Sequence, residues 1–120
     1  VLLFGEEPRM NSYFVTRKHQ GLCVNRRKEY KYESLASGFR GRKVEPFMVT
    51  VDPLPDNHRH GKSSHEGQEF DLIMEGSLEI TIGDKIITLQ AGDSIYFDSK
   101  EPHCMHAMGE QPCKFLCIVI

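Results

Sequence analysis

The 120-residue sequence contains no apolar run near the ~20 residues that a membrane-spanning helix needs, which excludes that class of membrane protein. It also lacks an excess of basic charge. Fifteen Lys and Arg stand against 17 Asp and Glu, for a formal net charge of -2 and a pI near 6.3. Domains that grip a phosphate backbone are usually strongly basic, so this chain should not hold DNA by itself. Its four cysteines, Cys23, Cys104, Cys113 and Cys117, show neither a CxxC pair nor the density of a secreted disulfide scaffold. Reduced thiols and a cytoplasmic protein are expected. Val1 to Gly5 have neither the charged stretch nor the long apolar core of a signal peptide, and a start at Val rather than Met leads us to expect a truncated chain. There is no internal repeat, no low-complexity tract and no segment with the period of a long helix.

The positive signals are those of strands. Glu29 to Leu35, Pro46 to Val51, Phe70 to Met74, Leu78 to Ile82, Ile86 to Leu89, Ser94 to Phe97 and Lys114 to Ile120 are rich in β-branched and aromatic residues. Gly76-Ser77, Gly83-Asp84 and Gly92-Asp93 separate them, because Gly and Asp tolerate the dihedrals that tight turns demand. Gly83-Asp84 marks a hairpin. Short strands at this spacing predict an all-β fold of two antiparallel sheets, a jelly roll. Phe47, Val49, Val51, Ile80, Ile82, Phe97 and Leu116 are the core candidates. Residues 52–67, broken by prolines, glycines and serines, read as a long surface loop carrying His58, His60 and His65.

Chemistry concentrates in two runs. In Ser63-Ser64-His65-Glu66-Gly67-Gln68-Glu69, the side chains of His65 and Glu69 are an even number of residues apart and share a face wherever the backbone is extended. In Gly92 to His103, a strand and a polar turn deliver a histidine to the start of the next strand. An ionised Glu69 inside a small barrel needs a partner, either a hydrogen bond or a metal. His58 and His60 are expected to be solvated, although one of them could fold back as an extra ligand. Arg26, Arg27, Lys28, Arg40, Arg42 and Lys43 read as solvated loop charges. Cys113 and Cys117 read as small buried hydrophobes.

These two runs resemble the paired motifs of the cupin superfamily: a His-x-His, a Glu a few residues later and a Gly beyond six further residues, followed by a Gly-Asp strand that leads through a turn to a second-motif His. The match covers His65, Glu69 and Gly76, then Gly92 to His103. Glu29 to Ala36, Arg42 to Phe47, Tyr96 to Ser99 with Pro102-His103, and the opening Leu2-Leu3-Phe4-Gly5 are similar to regulators that join an XRE-type helix-turn-helix to a C-terminal cupin.

The resemblance implies a double-stranded β-helix spanning residues 1–120 as one cupin domain, with 1–15 as the remnant of a linker from a missing helix-turn-helix domain. It implies a cytoplasmic homodimer that senses a small-molecule effector and reaches DNA only through the missing part. Three departures stand out: Ser63 replaces the first histidine of the pair, Asp98 replaces a usual proline, and Ala107 falls where an asparagine often stands. The loss of one nitrogen donor favours binding over catalysis, so no enzymatic activity is expected. Ser63, His65, Glu69 and His103 form the expected ligand pocket. His65, Glu69 and His103 still make a two-His, one-carboxylate set able to take zinc, nickel or iron under suitable conditions. The alternatives are a small metal-dependent oxygenase or isomerase, and a stand-alone small-molecule-binding cupin.

Overall fold

The computed structural model describes residues 12–24, 30–54 and 61–120. Along these the chain forms β1 (Leu22–Val24), β2 (Tyr30–Ser34), β3 (Glu45–Val51), β4 (Gln68–Glu75), β5 (Ser77–Ile82), β6 (Lys85–Gln90), β7 (Ser94–Asp98), β8 (His103–Ala107) and β9 (Cys113–Val119). No helix occurs among the described residues. The strands pair antiparallel in two sheets, β1-β2-β3-β9-β4-β7 and β6-β5-β8. This is the jelly-roll barrel expected from the sequence.

Period-2 alternation places the core between the sheets. Phe47, Val49 and Val51 of β3, Ile73 of β4, Leu78 and Ile80 of β5, and Phe115 of β9 are buried together, each worth about 1.5–3 kcal/mol of hydrophobic free energy. The partly buried Ile82 packs against this cluster rather than inside it. Leu116 belongs to the opposite face of β9, because Val49 pairs with Phe115 and Met48 with Leu116. The core contribution expected of Leu116 is made by Phe115 and Cys117 instead.

Two features close the barrel. Gly76 alone links β4 in one sheet to β5 in the other, with φ at +81°. A Cβ there would lie 2.7 Å from the Pro112 carbonyl oxygen, so a side chain is excluded by both backbone conformation and space. On the other side, the buried Tyr30 hydroxyl donates to the Met105 carbonyl at 2.9 Å and accepts from the Met105 amide at 2.9 Å. One side chain thus satisfies a backbone pair on the open edge of β8.

Strands β1 and β8 were not among the segments expected from composition, although His103 was expected to open a strand. Of the 52–67 loop, residues 61–67 are described, and part of it is tied down. Ser63 and His103 exchange backbone hydrogen bonds of 3.0 and 2.9 Å, the His65 amide donates to the Ser99 carbonyl at 3.0 Å, and the Ser99 amide donates to the Gly67 carbonyl at 3.1 Å. His58, His60, Arg26, Arg27, Lys28 and Leu2 to Gly5 lie outside the described residues.

Candidate functional site

The loop tethered by these bonds delivers His65 beside β4, whose second residue is Glu69, while the turn after β7 delivers His103 at the first position of β8. Gly67, with φ at +96°, makes the bend between His65 and Glu69, and a Cβ on it would collide with the Ile120 carbonyl oxygen at 2.1 Å. Extended backbone alone therefore does not unite His65 with Glu69; a left-handed glycine between them does.

The three side chains converge. His65 Nε2 lies 3.2 Å from Glu69 Oε1, and His103 Nε2 lies 3.9 Å from the same oxygen. Glu69 and His103 are buried, whereas the His65 side chain is 35% exposed and forms the open side of the cluster. Phe97 meets the His103 ring edge-on at a centroid distance of 5.0 Å, and the two imidazoles lie 5.4 Å apart. One donor atom from each of His65, Glu69 and His103 falls within 4.8 Å of the others, a set that could hold a metal ion.

Proton placement sharpens this arrangement. His103 Nδ1 sits 2.8 Å from the Glu101 carbonyl oxygen, and a carbonyl only accepts, so the ring proton belongs on Nδ1. His65 Nδ1 faces the Glu66 carbonyl in the same way, at a longer 3.3 Å. His103 Nε2 is then the ring's acceptor atom, 3.9 Å from Glu69 Oε1, while His65 Nε2, at 3.2 Å, either donates to that oxygen or presents a lone pair beside it, according to its tautomer. The Glu69 oxygen is satisfied either by the His65 Nε2 proton or by a cation held among the three groups. A metal bound by neutral imidazoles whose second nitrogen donates to a carbonyl meets that need and fits the donor chemistry.

A cavity of about 240 Å³ opens over the cluster. Ser63, His65, Glu69 and His103 all line it, and Tyr30, Tyr32, Phe47 and Phe115 supply much of its wall. Ser63 therefore occupies the expected place without contributing a nitrogen. His106, opposite Glu79 on β8, does not line the cavity.

The sequence reading missed Asp71. It follows Glu69 by two residues on the same inward face of β4, is fully buried, and among the described residues has no polar group near its carboxylate oxygens other than Glu69 and Cys117, neither at ordinary hydrogen-bond distance. Burial, reinforced by the neighbouring charge of Glu69, holds its carboxyl well above the usual range. Its cross-strand neighbour is Cys117, whose thiol is pushed far up by burial and by the nearby Asp71 and Glu69. Period-2 counting along β4 from Glu69 would have found Asp71 too.

The sequence profile of the cupin domain matches residues 48–119. Among solved structures, the chain is similar to an Fe(II) form of HppE with an alternative substrate at TM-score 0.78 and 22% identity, covering 91% of this chain and 60% of that one. It is similar to the hydroxypropylphosphonic acid epoxidase from S. wedmorenis at TM-score 0.76 and 23% identity, covering 95% of this chain and 64% of the epoxidase. A third is an HTH_3 family transcriptional regulator from Vibrio cholerae, at TM-score 0.62 and 24% identity, covering 76% of this chain and 50% of the regulator. The chain thus spans under two thirds of the length of each. These neighbours correct the expectation that catalysis is absent: a barrel of the same fold carries an Fe(II) epoxidase, so this fold does not exclude an enzyme.

Proposed function

The chain belongs to the cupin family, and from that premise we propose that it is a metal-dependent enzyme acting on a small polar metabolite, with His65, Glu69 and His103 holding one divalent ion, Fe(II) by preference. The observation that carries this reading is the convergence of two imidazole Nε2 atoms and a carboxylate oxygen at the base of a cavity. Two histidines and one carboxylate on one side of an ion leave its other side open, the arrangement that suits non-haem iron. The bound metal would supply Lewis acidity and redox capacity for oxidation by O₂. The chain's own groups do the rest. The Glu101 carbonyl fixes the His103 tautomer. Phe97 packs on the His103 ring and holds its orientation. Tyr32, Phe47 and Phe115 supply an apolar wall that excludes water, while the Ser63 and Ser64 hydroxyls offer hydrogen bonds to a polar substrate at the mouth. The epoxidase likeness supports the reaction class; it does not name the substrate.

The test is anaerobic titration of the protein with Fe(II), followed by nitric oxide as a stand-in for O₂. One equivalent bound, an iron-nitrosyl paramagnetic signal, and at least ~100-fold weaker binding in His103→Ala are expected. Binding unchanged by that substitution would overturn the assignment.

A second reading draws on the regulator likeness. The same pocket would sense an effector in a dimeric protein whose further domain binds DNA, with Ser63, His65, Glu69 and His103 as the ligand contacts. An effector acts only by binding two states unequally. Its test is operator affinity of the full-length gene product with and without candidate metabolites; no shift, or no DNA-binding domain in that product, would refute it.

A further inference from the structure

We propose that Glu69, Asp71 and Cys117 form a second divalent-metal site, deeper in the barrel than the imidazole cluster and joined to it through Glu69. One donor atom from each of the three lies within 4.8 Å of the others, and all three residues are buried. Asp71 and Cys117 face each other across the β4–β9 ladder, and Glu69 precedes Asp71 by one step on the same face.

The independent observation is Asp71 itself. Its side chain is fully buried in this cluster, and neither oxygen has a hydrogen-bond partner at ordinary distance, the only polar groups near it among the described residues being Glu69 and Cys117. Buried polar atoms are nearly always partnered, and an unpartnered carboxylate is among the costlier exceptions. A cation between Asp71, Glu69 and Cys117 supplies that partner. The donor set mixes one sulfur with two carboxylates, which favours a thiophilic or borderline ion such as Zn²⁺ or Co²⁺ over Mg²⁺ or Ca²⁺. Binding forms the metal–sulfur bond as the Cys117 S–H proton leaves to solvent, with any proton held by Asp71 following it; no redox change is involved. Entry is open, because Glu69 and Cys117 both line the cavity. Three anionic donors offset most of the charge of two divalent ions, and a shared carboxylate is how paired metals sit a few ångströms apart.

The experiment is a Co²⁺ titration of the full chain, read by absorption. Two equivalents per chain are expected, one of them raising a thiolate-to-cobalt charge-transfer band in the near ultraviolet. Cys117→Ser should abolish the band and leave one equivalent. Asp71→Asn should weaken the band-forming equivalent at least ~10-fold, with circular dichroism confirming the fold of each variant. His103→Ala should lose the other equivalent and keep the band. A single equivalent without the band, or a band that survives in Cys117→Ser, overturns this proposal. A single equivalent with the band supports it and counts against the imidazole site instead.

Discussion

Replacing Tyr30 by Phe removes one oxygen and keeps the ring. The structure gives that oxygen two bonds, one to the Met105 carbonyl and one from the Met105 amide, both at 2.9 Å. Tyr30 is 5% exposed and Met105 is 4% exposed, so both backbone groups are shielded from bulk solvent. An unsatisfied buried donor or acceptor costs about 1–3 kcal/mol, and two of them on one residue set the expected loss at roughly 3 kcal/mol after local relaxation. For a domain stable by about 5–15 kcal/mol this is a large share. Urea denaturation should show the midpoint falling by about 1–2 M with an unchanged m-value. Amide exchange at Met105 should quicken more than at Ile80, whose amide faces Ile87 in the β5–β6 ladder. A loss under ~0.5 kcal/mol would refute the reasoning and mean that β2 and β8 are held together by packing alone.

Three further outcomes are expected. With metal removed by chelator, Asp71 is protonated in the folded state at pH values where the unfolded chain, with its ordinary value of 3.8, is ionised. The folded state then binds more protons, so stability falls as pH rises above about 4, up to the raised folded value. Asp71→Asn should flatten that fall, and parallel pH profiles of urea midpoints for the two proteins would show that burial and the neighbouring Glu69 do not raise the Asp71 carboxyl as described. Gly76→Ala should lose about 2–4 kcal/mol, since the left-handed conformation and the contact with the Pro112 carbonyl both oppose a side chain; a thermal midpoint within 1 °C of wild type would contradict this. Thiol labelling of the native protein should modify Cys23, which is exposed, well before the buried Cys104, Cys113 and Cys117. The Cys113 thiol is also pushed up to about 11 by burial, so its labelling at the rate of Cys23 would be the refuting result.

Strands were legible in this chain because alternation and turn residues are local properties. The candidate donors were legible because His65, Glu69 and His103 stand at recognisable spacings. What periodicity cannot give is parity when both faces are apolar. Lys114 to Val119 sits in β9, the strand between β3 and β4, and offers Phe115, Leu116 and Ile118 to either face. Only pairing with β3, Val49 to Phe115, decides that Leu116 turns away from the core. Nor does a residue type announce its partner across the fold. Tyr30 reads as an ordinary strand aromatic, and its role depends on a Met 75 residues away presenting a free backbone edge.

Asp71 shows the same limit from the side of chemistry. Glu69 and Asp71 stand on one face by simple counting, so two acids directed into a barrel could be read from the sequence. Cys117 was read as a small hydrophobe because, taken alone, a buried cysteine is one. The β4–β9 register sets it opposite Asp71, and a buried acid with no hydrogen-bond partner then gains a sulfur neighbour. The two residues change meaning only as a pair, and a cross-strand pair is fixed by register rather than by composition.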